Sequence, residues 1–348
     1  MKIAMVSLSY LPISEKSMGG LEVVVWELTK QLKKMGHEVT LFGLSDSKLG
    51  VKTEGIVNSQ DLREDGLALD NKYFVRRYTT YQAMALIEAL KKSEEFDCIH
   101  VNIAEWPYAF LYRKNENVVV TAHGNYMTPR LTKMIFDNKP GAKLACVSNF
   151  VANKFFPEYK DKYVVHNGID LDEFKPNFAN GEYLVWIGRI TPIKDPKTAI
   201  EVARKSGQKL IIAGGVDYQD YFDENVAPYL DENIKYVGPV FGQQKNELLE
   251  NAKALIFTPT SEEAFGLVAA EAMACGTPVI SFDKGALSEV VADGKTGFIV
   301  KDVEQMVEKI NDIDKISRLD CRKWVEANFS AQIMANKYVE LYKKNAKN

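Results

Sequence analysis

The feature that most constrains this chain is its repeated alternation of short β-rich runs with helix-length segments. KIAMVSL near the start reads as a strand. GGLEVVVWELTKQLKKMG follows, with Val24, Leu28, Leu32 and Met35 at roughly helical spacing. HEVTLFG, FDCIHVN, NVVVTAHG, AKLACVSN and KYVVHNG read as later strands. Apolar strands separated by helices predict a parallel sheet covered on both faces.

The alternation breaks once. NGIDLDEFKPNFANGE, Asn167 to Glu182, is rich in turn residues and carries little periodicity. It then restarts with EYLVWIGR, a helix from about Pro196 to Lys205, QKLIIAGG, NIKYVGPV, KALIFTP, TPVISFD and TGFIVKD. The predicted fold class is α/β: two Rossmann-like, doubly wound domains facing each other across a cleft. The expected boundaries are 1–166 for the first domain and 167–329 for the second. Residues 330–348 read as a final helix that crosses back toward the first domain. In open α/β sheets ligands sit at the carboxyl ends of the strands, so chemistry is expected there.

Several functions are disfavoured by what the loops lack. The loop after the first strand, SLSYLPISEKSMGG, holds no G-x-G-x-x-G, and neither does the loop after Ile187. That weighs against a nicotinamide enzyme. A GxxxxGK[ST] loop, an H-E-x-x-H and a G-x-S-x-G are also missing. The four cysteines form no C-x-x-C pair, so buried free thiols and no metal site are expected. The net charge of −3 gives no push toward nucleic acid, although the first 165 residues carry 22 Lys+Arg against 19 Asp+Glu. No apolar run reaches the ~18 residues that span a bilayer, and the N-terminus turns polar too soon for a signal peptide. A cytoplasmic protein is expected.

Two segments carry candidate chemistry. In SEEAFGLVAAEAMACG, Glu263 and Glu271 bracket small apolar residues, and a helix is expected to start near Phe265 or Gly266. Amides at a helix start lack internal partners and favour anions. Helical side chains lean toward the N-terminus, so both carboxylates can flank a ligand with a phosphate between two hydroxyl-rich ends. A carboxylate accepts two hydrogen bonds and suits vicinal diols. The plainer alternative is a helix-start carboxylate and a chance polar residue. In WIGRITPIKDP, Arg189 follows a strand end and Lys194 precedes the next helix. Such cations can clamp a diphosphate, or they are ordinary surface charges.

These stretches resemble the family 4 retaining glycosyltransferases of the GT-B fold. The resemblance rests on SEEAFGLVAAEAMACGTPVI, GRITPIK, VVHNGIDLDEFKP and GALSEVVADGKTGFIV, with MGGLEVVVWELTKQLKKMGHEVTLF at the front and FSAQIMANKYVELY at the back. It covers nearly the whole chain. It implies a first, acceptor-binding domain and a second domain holding a UDP- or GDP-hexose donor. It implies no metal and no cofactor, the nucleotide-diphosphate sugar being a co-substrate. Glu263 would contact the sugar hydroxyls and Glu271 the ribose, while Arg189 and Lys194 would grip the diphosphate. The backbone at Phe265, Gly266 and Leu267 would complete the site, with Gly238 to Phe241, including Val240, beside the base. Gly19 and Gly20 would start a helix facing the phosphates. His123, in TAHG, would reach the reacting sugar.

The acceptor is left open: a saccharide or a lipid-linked sugar. Arg76, Arg77 and Tyr78, and the basic stretch of Arg130, Lys133, Lys139 and Lys143, suit a sugar, a peripheral membrane contact at the inner membrane face, or a solvated surface. Asp195 stands where the family often has glycine, and it either weakens the diphosphate clamp or caps the helix at Pro196. A non-catalytic nucleotide-sugar-binding subunit of a glycosylation complex is the rival reading.

Overall fold

The computed structural model describes residues 1–8, 11–17, 19–65, 74–103, 118–124, 128–137 and 142–344. Residue contacts group the chain into two units, Met1–Gly168 with Ala331–Asn348, and Ile169–Ser330.

The first unit is built on a parallel sheet. Its strands are β1 (Lys2–Ser7), β2 (Glu38–Leu44), β3 (Lys52–Val57), β4 (Cys98–Val101), β5 (Val118–Ala122), β6 (Lys143–Cys146) and β7 (Lys162–Val164). Their order is β3-β2-β1-β4-β5-β6-β7. Central strands β4 and β5 are buried at every position, as expected of apolar runs covered on both faces. β3 is the strand whose sequence, KTEGIV, hides it. It lies at the sheet edge, half-exposed, and Glu54 pairs there with Lys52 at 2.8 Å. Charged edge strands discourage pairing with other chains, and they also erase the apolar signal.

Helix Gly20–Lys34 buries Val24, Val25, Leu28 and Leu32. Helix Ala331–Lys343 packs against it and lies in this same unit. Its buried Tyr338 and Tyr342 reach the middle of the sheet. Tyr342 Oη lies 2.7 Å from His100 Nδ1, His100 Nε2 lies 2.7 Å from Thr121 Oγ1, and Thr121 Oγ1 lies 2.8 Å from Tyr338 Oη. Burial pushes His100 down to about 3. His100 is therefore a neutral core residue and not a cleft group.

The second unit repeats the design. Its strands are β8 (Tyr183–Ile187), β9 (Leu210–Ala213), β10 (Ile234–Tyr236), β11 (Ala252–Phe257), β12 (Val279–Phe282) and β13 (Gly297–Val300), ordered β10-β9-β8-β11-β12-β13 and parallel. The turn-rich stretch before β8 has no periodic structure to hold it, and two arginines do so instead, Arg318 buried and Arg322 half-buried. Arg318 donates to the carbonyls of Asn177, Glu250 and Ala252 at 2.6–2.8 Å. Arg322 donates to the carbonyls of Phe174 and Ala274 at 2.6 and 3.0 Å.

All four cysteines are free and buried, and burial pushes their thiols up. No helix among the described residues is long and apolar enough to cross a membrane. On helix Pro129–Asp137, Leu131 and Met134 are exposed and Lys133 pairs with Asp137 at 3.0 Å. Lys139 and the side chain of Arg76 lie outside the described residues. Arg77 Nη1 donates to the Asp65 carbonyl and Tyr78 Oη to the Leu8 carbonyl, so both hold local structure.

Candidate active site

In the second sheet the strand order reverses between β8 and β11, which are neighbours. The loops leaving these two strands diverge to opposite faces, and the crevice between them is where open α/β sheets bind ligands. Arg189 and Lys194 leave the end of β8. Glu263 and Gly266 leave the end of β11. Thr260 N donates to the Ile193 carbonyl at 3.0 Å, and Thr258 Oγ1 donates to the Asp195 carbonyl at 2.7 Å, so the loops are tied together. Trp186, fully buried, donates from Nε1 to Thr258 Oγ1 at 3.2 Å.

Across this crevice Lys194 Nζ pairs with Glu263 Oε1. The Glu263 backbone is fixed from behind. Ala286 N donates to its carbonyl at 2.8 Å, and Glu263 bridges Gly285. Gly285 has φ +66°, and a Cβ there would stand 2.2 Å from the Glu263 carbonyl oxygen. Only glycine allows that approach. Gly285 begins the GALSEVV stretch, and nothing local in the sequence says what it touches.

Gly266, at φ +95° and ψ +56°, caps helix Leu267–Ala274. This left-handed cap turns the chain sharply at the helix start, where the first amides lack intrahelical partners. The Phe265 side chain turns inward, its ring 5.4 Å from Phe329, so only its backbone is available to a ligand. Leu267 is half-buried. Glu271 lies one turn further along and is 4% exposed. Lys245 Nζ lies against Glu271 Oε2, an ion pair that misses hydrogen-bond geometry. Sequence reasoning passed over Lys245, because the chain places it 26 residues away on helix Gly242–Glu250.

Arg189 Nη1 is paired with Asp217 Oδ2 at 2.7 Å, and its side chain is 60% exposed. Gly238 accepts from Gly214 N at 2.8 Å. Val240 lines a surface hollow with Val237, Pro239 and Gln244. Asp195, at φ +52°, is the one non-glycine residue with positive φ among the described residues. Its Oδ1 accepts from Thr198 N at 3.2 Å and its Oδ2 from Thr198 Oγ1 at 2.6 Å. Asp195 therefore caps helix Pro196–Ser206, and its left-handed backbone gives a physical reason for glycine at such a position.

The structure thus joins Lys194 to Glu263 across the crevice, with Arg189 at the end of β8 and with Phe265, Gly266, Leu267 and Glu271 following β11, whereas Gly238 and Val240 both follow β10, which β9 separates from β8. Gly19, Gly20 and His123 belong to the first unit. Gly19 caps helix Gly20–Lys34, and the Glu22 carboxylate folds back so far that a Cβ on Gly19 would stand 1.9 Å from it. His123 follows β5, and its Nε2 donates to Asn102 Oδ1 at 3.0 Å, while the Asn102 amide is oriented by Met5 Sδ at 3.2 Å. Burial pushes His123 down to about 4, so its imidazole is neutral at pH 7.

Residues 18–173 match the family described as Glycosyltransferase Family 4, and residues 169–329 match Glycosyl transferases group 1. The chain belongs to the family 4 glycosyltransferases. One curated relative is similar over the whole chain. The spore coat protein SA of Bacillus subtilis is 23% identical over 99% of this chain and 100% of its own length. The D-inositol 3-phosphate glycosyltransferase of Mycolicibacterium smegmatis is 32% identical, over 43% of this chain and 39% of its own. This chain therefore spans well under half of that enzyme. Among solved structures, a glycosyltransferase from Rickettsia africae superimposes with a TM-score of 0.78 at 22% identity, covering 100% of this chain and 99% of that one. Anabaena HepE, solved with UDP, gives 0.76 at 18% identity, covering 99% and 100%. The fold of this family 4 chain is the two-domain GT-B architecture.

Proposed function

We propose that this protein moves a hexose from a nucleotide-diphosphate donor to a hydroxyl acceptor with retention of anomeric configuration and without a metal ion. The observation that carries the reading is the crevice between the β8 and β11 loops. It holds Lys194 paired with Glu263, with Arg189 at the end of β8 and the helix start at Gly266 after β11. Solved relatives that hold UDP and UDP-glucose support the same donor class.

In this reading the helix-start amides at Gly266 and Leu267, with Arg189 and Lys194, hold the diphosphate and stabilise charge as it departs. Arg189 releases Asp217 to do so. Glu263 accepts from sugar hydroxyls, and Glu271 accepts from the ribose. The acceptor hydroxyl approaches the anomeric carbon on the face the diphosphate leaves. Its oxygen forms the new bond as the carbon–phosphate-oxygen bond breaks, and the leaving phosphate takes its proton. The protein positions the reactants and stabilises charge. His123, neutral and oriented through Asn102, would contact the sugar by one ring nitrogen.

The test is a panel of UDP-, GDP-, ADP- and dTDP-sugars, read by mass spectrometry with and without simple sugar and lipid acceptors, in buffer and in chelator. Release of one nucleoside diphosphate, unaffected by chelator, is expected. Strict metal dependence would overturn the metal-free mechanism. Binding of a donor without turnover under any condition would favour a binding subunit instead.

A further inference from the structure

Glu271 sits where a carboxylate does poorly alone. Its side chain is 5% exposed. Its neighbours on the helix, Ala269, Ala270, Ala272 and Met273, are all fully buried. An isolated ionised carboxylate in such surroundings either costs several kcal/mol or takes up a proton. One cation answers it. Lys245 Nζ lies against Oε2, and the same ammonium sits 6.0 Å above the Phe174 ring. Its side chain is 21% exposed, so it too is partly withdrawn from water.

We propose that Lys245 is a positioning residue for the donor site: it pairs with the buried Glu271 carboxylate at Oε2 and leaves Oε1 to accept from the hydroxyls of a ribose. The inference rests on the reading of Glu271 as the ribose ligand. Other charged or titratable groups surround this turn. Glu250 stands on the same helix as Lys245, Arg322 reaches the Ala274 carbonyl, and Cys275 follows in the chain. Helix Leu287–Val290 brings Glu289, which has partners of its own. Strand β11 brings Lys253, which pairs with Asp314 at 3.5 Å. Arg322 is engaged with backbone carbonyls and with Glu326. Lys245 is the cation in contact with the carboxylate.

The chemistry sets the consequence. A carboxylate accepts from both hydroxyls of a vicinal diol. Without Lys245 the buried carboxylate loses the cation that offsets its burial, and its hold on a ribose weakens. A cation that merely attracted the diphosphate would leave a different mark: its loss would weaken binding by one factor for ribose and deoxyribose alike.

The experiment titrates UDP, GDP and ADP into the full chain. The tightest binder is then compared with its 2′-deoxy counterpart. The parent is expected to favour the ribonucleotide by about 10-fold, the worth of a hydrogen bond to a charged group. Lys245→Met should bind the ribonucleotide about 10-fold more weakly and the deoxyribonucleotide nearly as the parent does, so that the preference for ribose collapses. Lys245→Arg should restore the preference. Parent-like binding by Lys245→Met overturns the proposal, and so does a loss that is equal for both sugars. If Lys245→Met does not fold, Glu271→Gln is added. Recovery of the fold in the double variant supports the pairing, and failure to recover overturns it. A parent that binds none of the three nucleotides overturns the donor reading itself, a result distinct from any behaviour of the variants.

Discussion

Lys194 and Glu263 stand 69 residues apart in the chain and meet as an ion pair across the crevice between β8 and β11. Each is mostly buried, with side-chain exposures of 22% and 13%. In the proposed donor reading, the pair offers a cation to the diphosphate and a carboxylate to a sugar hydroxyl.

Lys194→Ala is expected to lower turnover by about 10²–10³-fold, the scale for removing one charge-stabilising group. The melting temperature should fall by less than about 4 °C, the shift that ~1 kcal/mol gives in a chain of this size. Initial rates with the best donor and a thermal melt together check this. A variant that unfolds without losing specific activity would make Lys194 structural.

Asp195 both caps a helix and occupies a left-handed backbone position. Asp195→Ala loses the cap and keeps the strain, so urea unfolding should show a loss of about 1–2 kcal/mol. Asp195→Gly loses the cap but relieves the strain, and should match the parent within about 0.5 kcal/mol. Equal losses for both variants would contradict this account of the position.

Gly285→Ala drives a methyl group toward the Glu263 carbonyl. The backbone of Glu263 must move, and a misplacement of about 1 Å at a site can cost ~10²-fold in rate. Activity assays on variant protein confirmed as folded by circular dichroism would check it. A fully active Gly285→Ala chain would show that the Glu263 loop tolerates displacement.

Stability should fall on acidification because of two histidines. His100 and His123 are pushed down to about 3 and about 4 in the folded chain, against ~6.5 when unfolded. The unfolded chain therefore binds more protons below that value. Their contribution is fully present above about pH 6.5 and is lost as the pH falls toward 4, at about 1.4 kcal/mol per pH unit for each. Urea unfolding at pH 7, 6 and 5 measures the slope. His100→Asn should flatten it, and an unchanged slope would remove His100 as a cause.

The alternation of apolar runs and helices was legible because fully covered parallel strands leave continuous apolar stretches in the sequence, as at IAMVS, CIHV and LVWI. Edge strand β3 was not legible, since one exposed flank admits Lys52 and Glu54. Within the crevice, the strand-end loops and the helix start at Gly266 could be read locally, since turn chemistry and helix starts are short-range effects. The partners could not. Lys245 against Glu271, Asp217 against Arg189 and Gly285 behind Glu263 join residues 22 to 28 positions apart through the packing of different elements. His100 showed the limit most plainly. It ends the apolar run FDCIH, and Tyr342, 242 residues later, encloses it in the core. Sequence alone determined the apolar strands, the helices between them and the helix start at Gly266, because those follow from periodicity and backbone chemistry. Only the tertiary structure decided which charge answers which, because burial and pairing depend on neighbours that the chain brings together at long range.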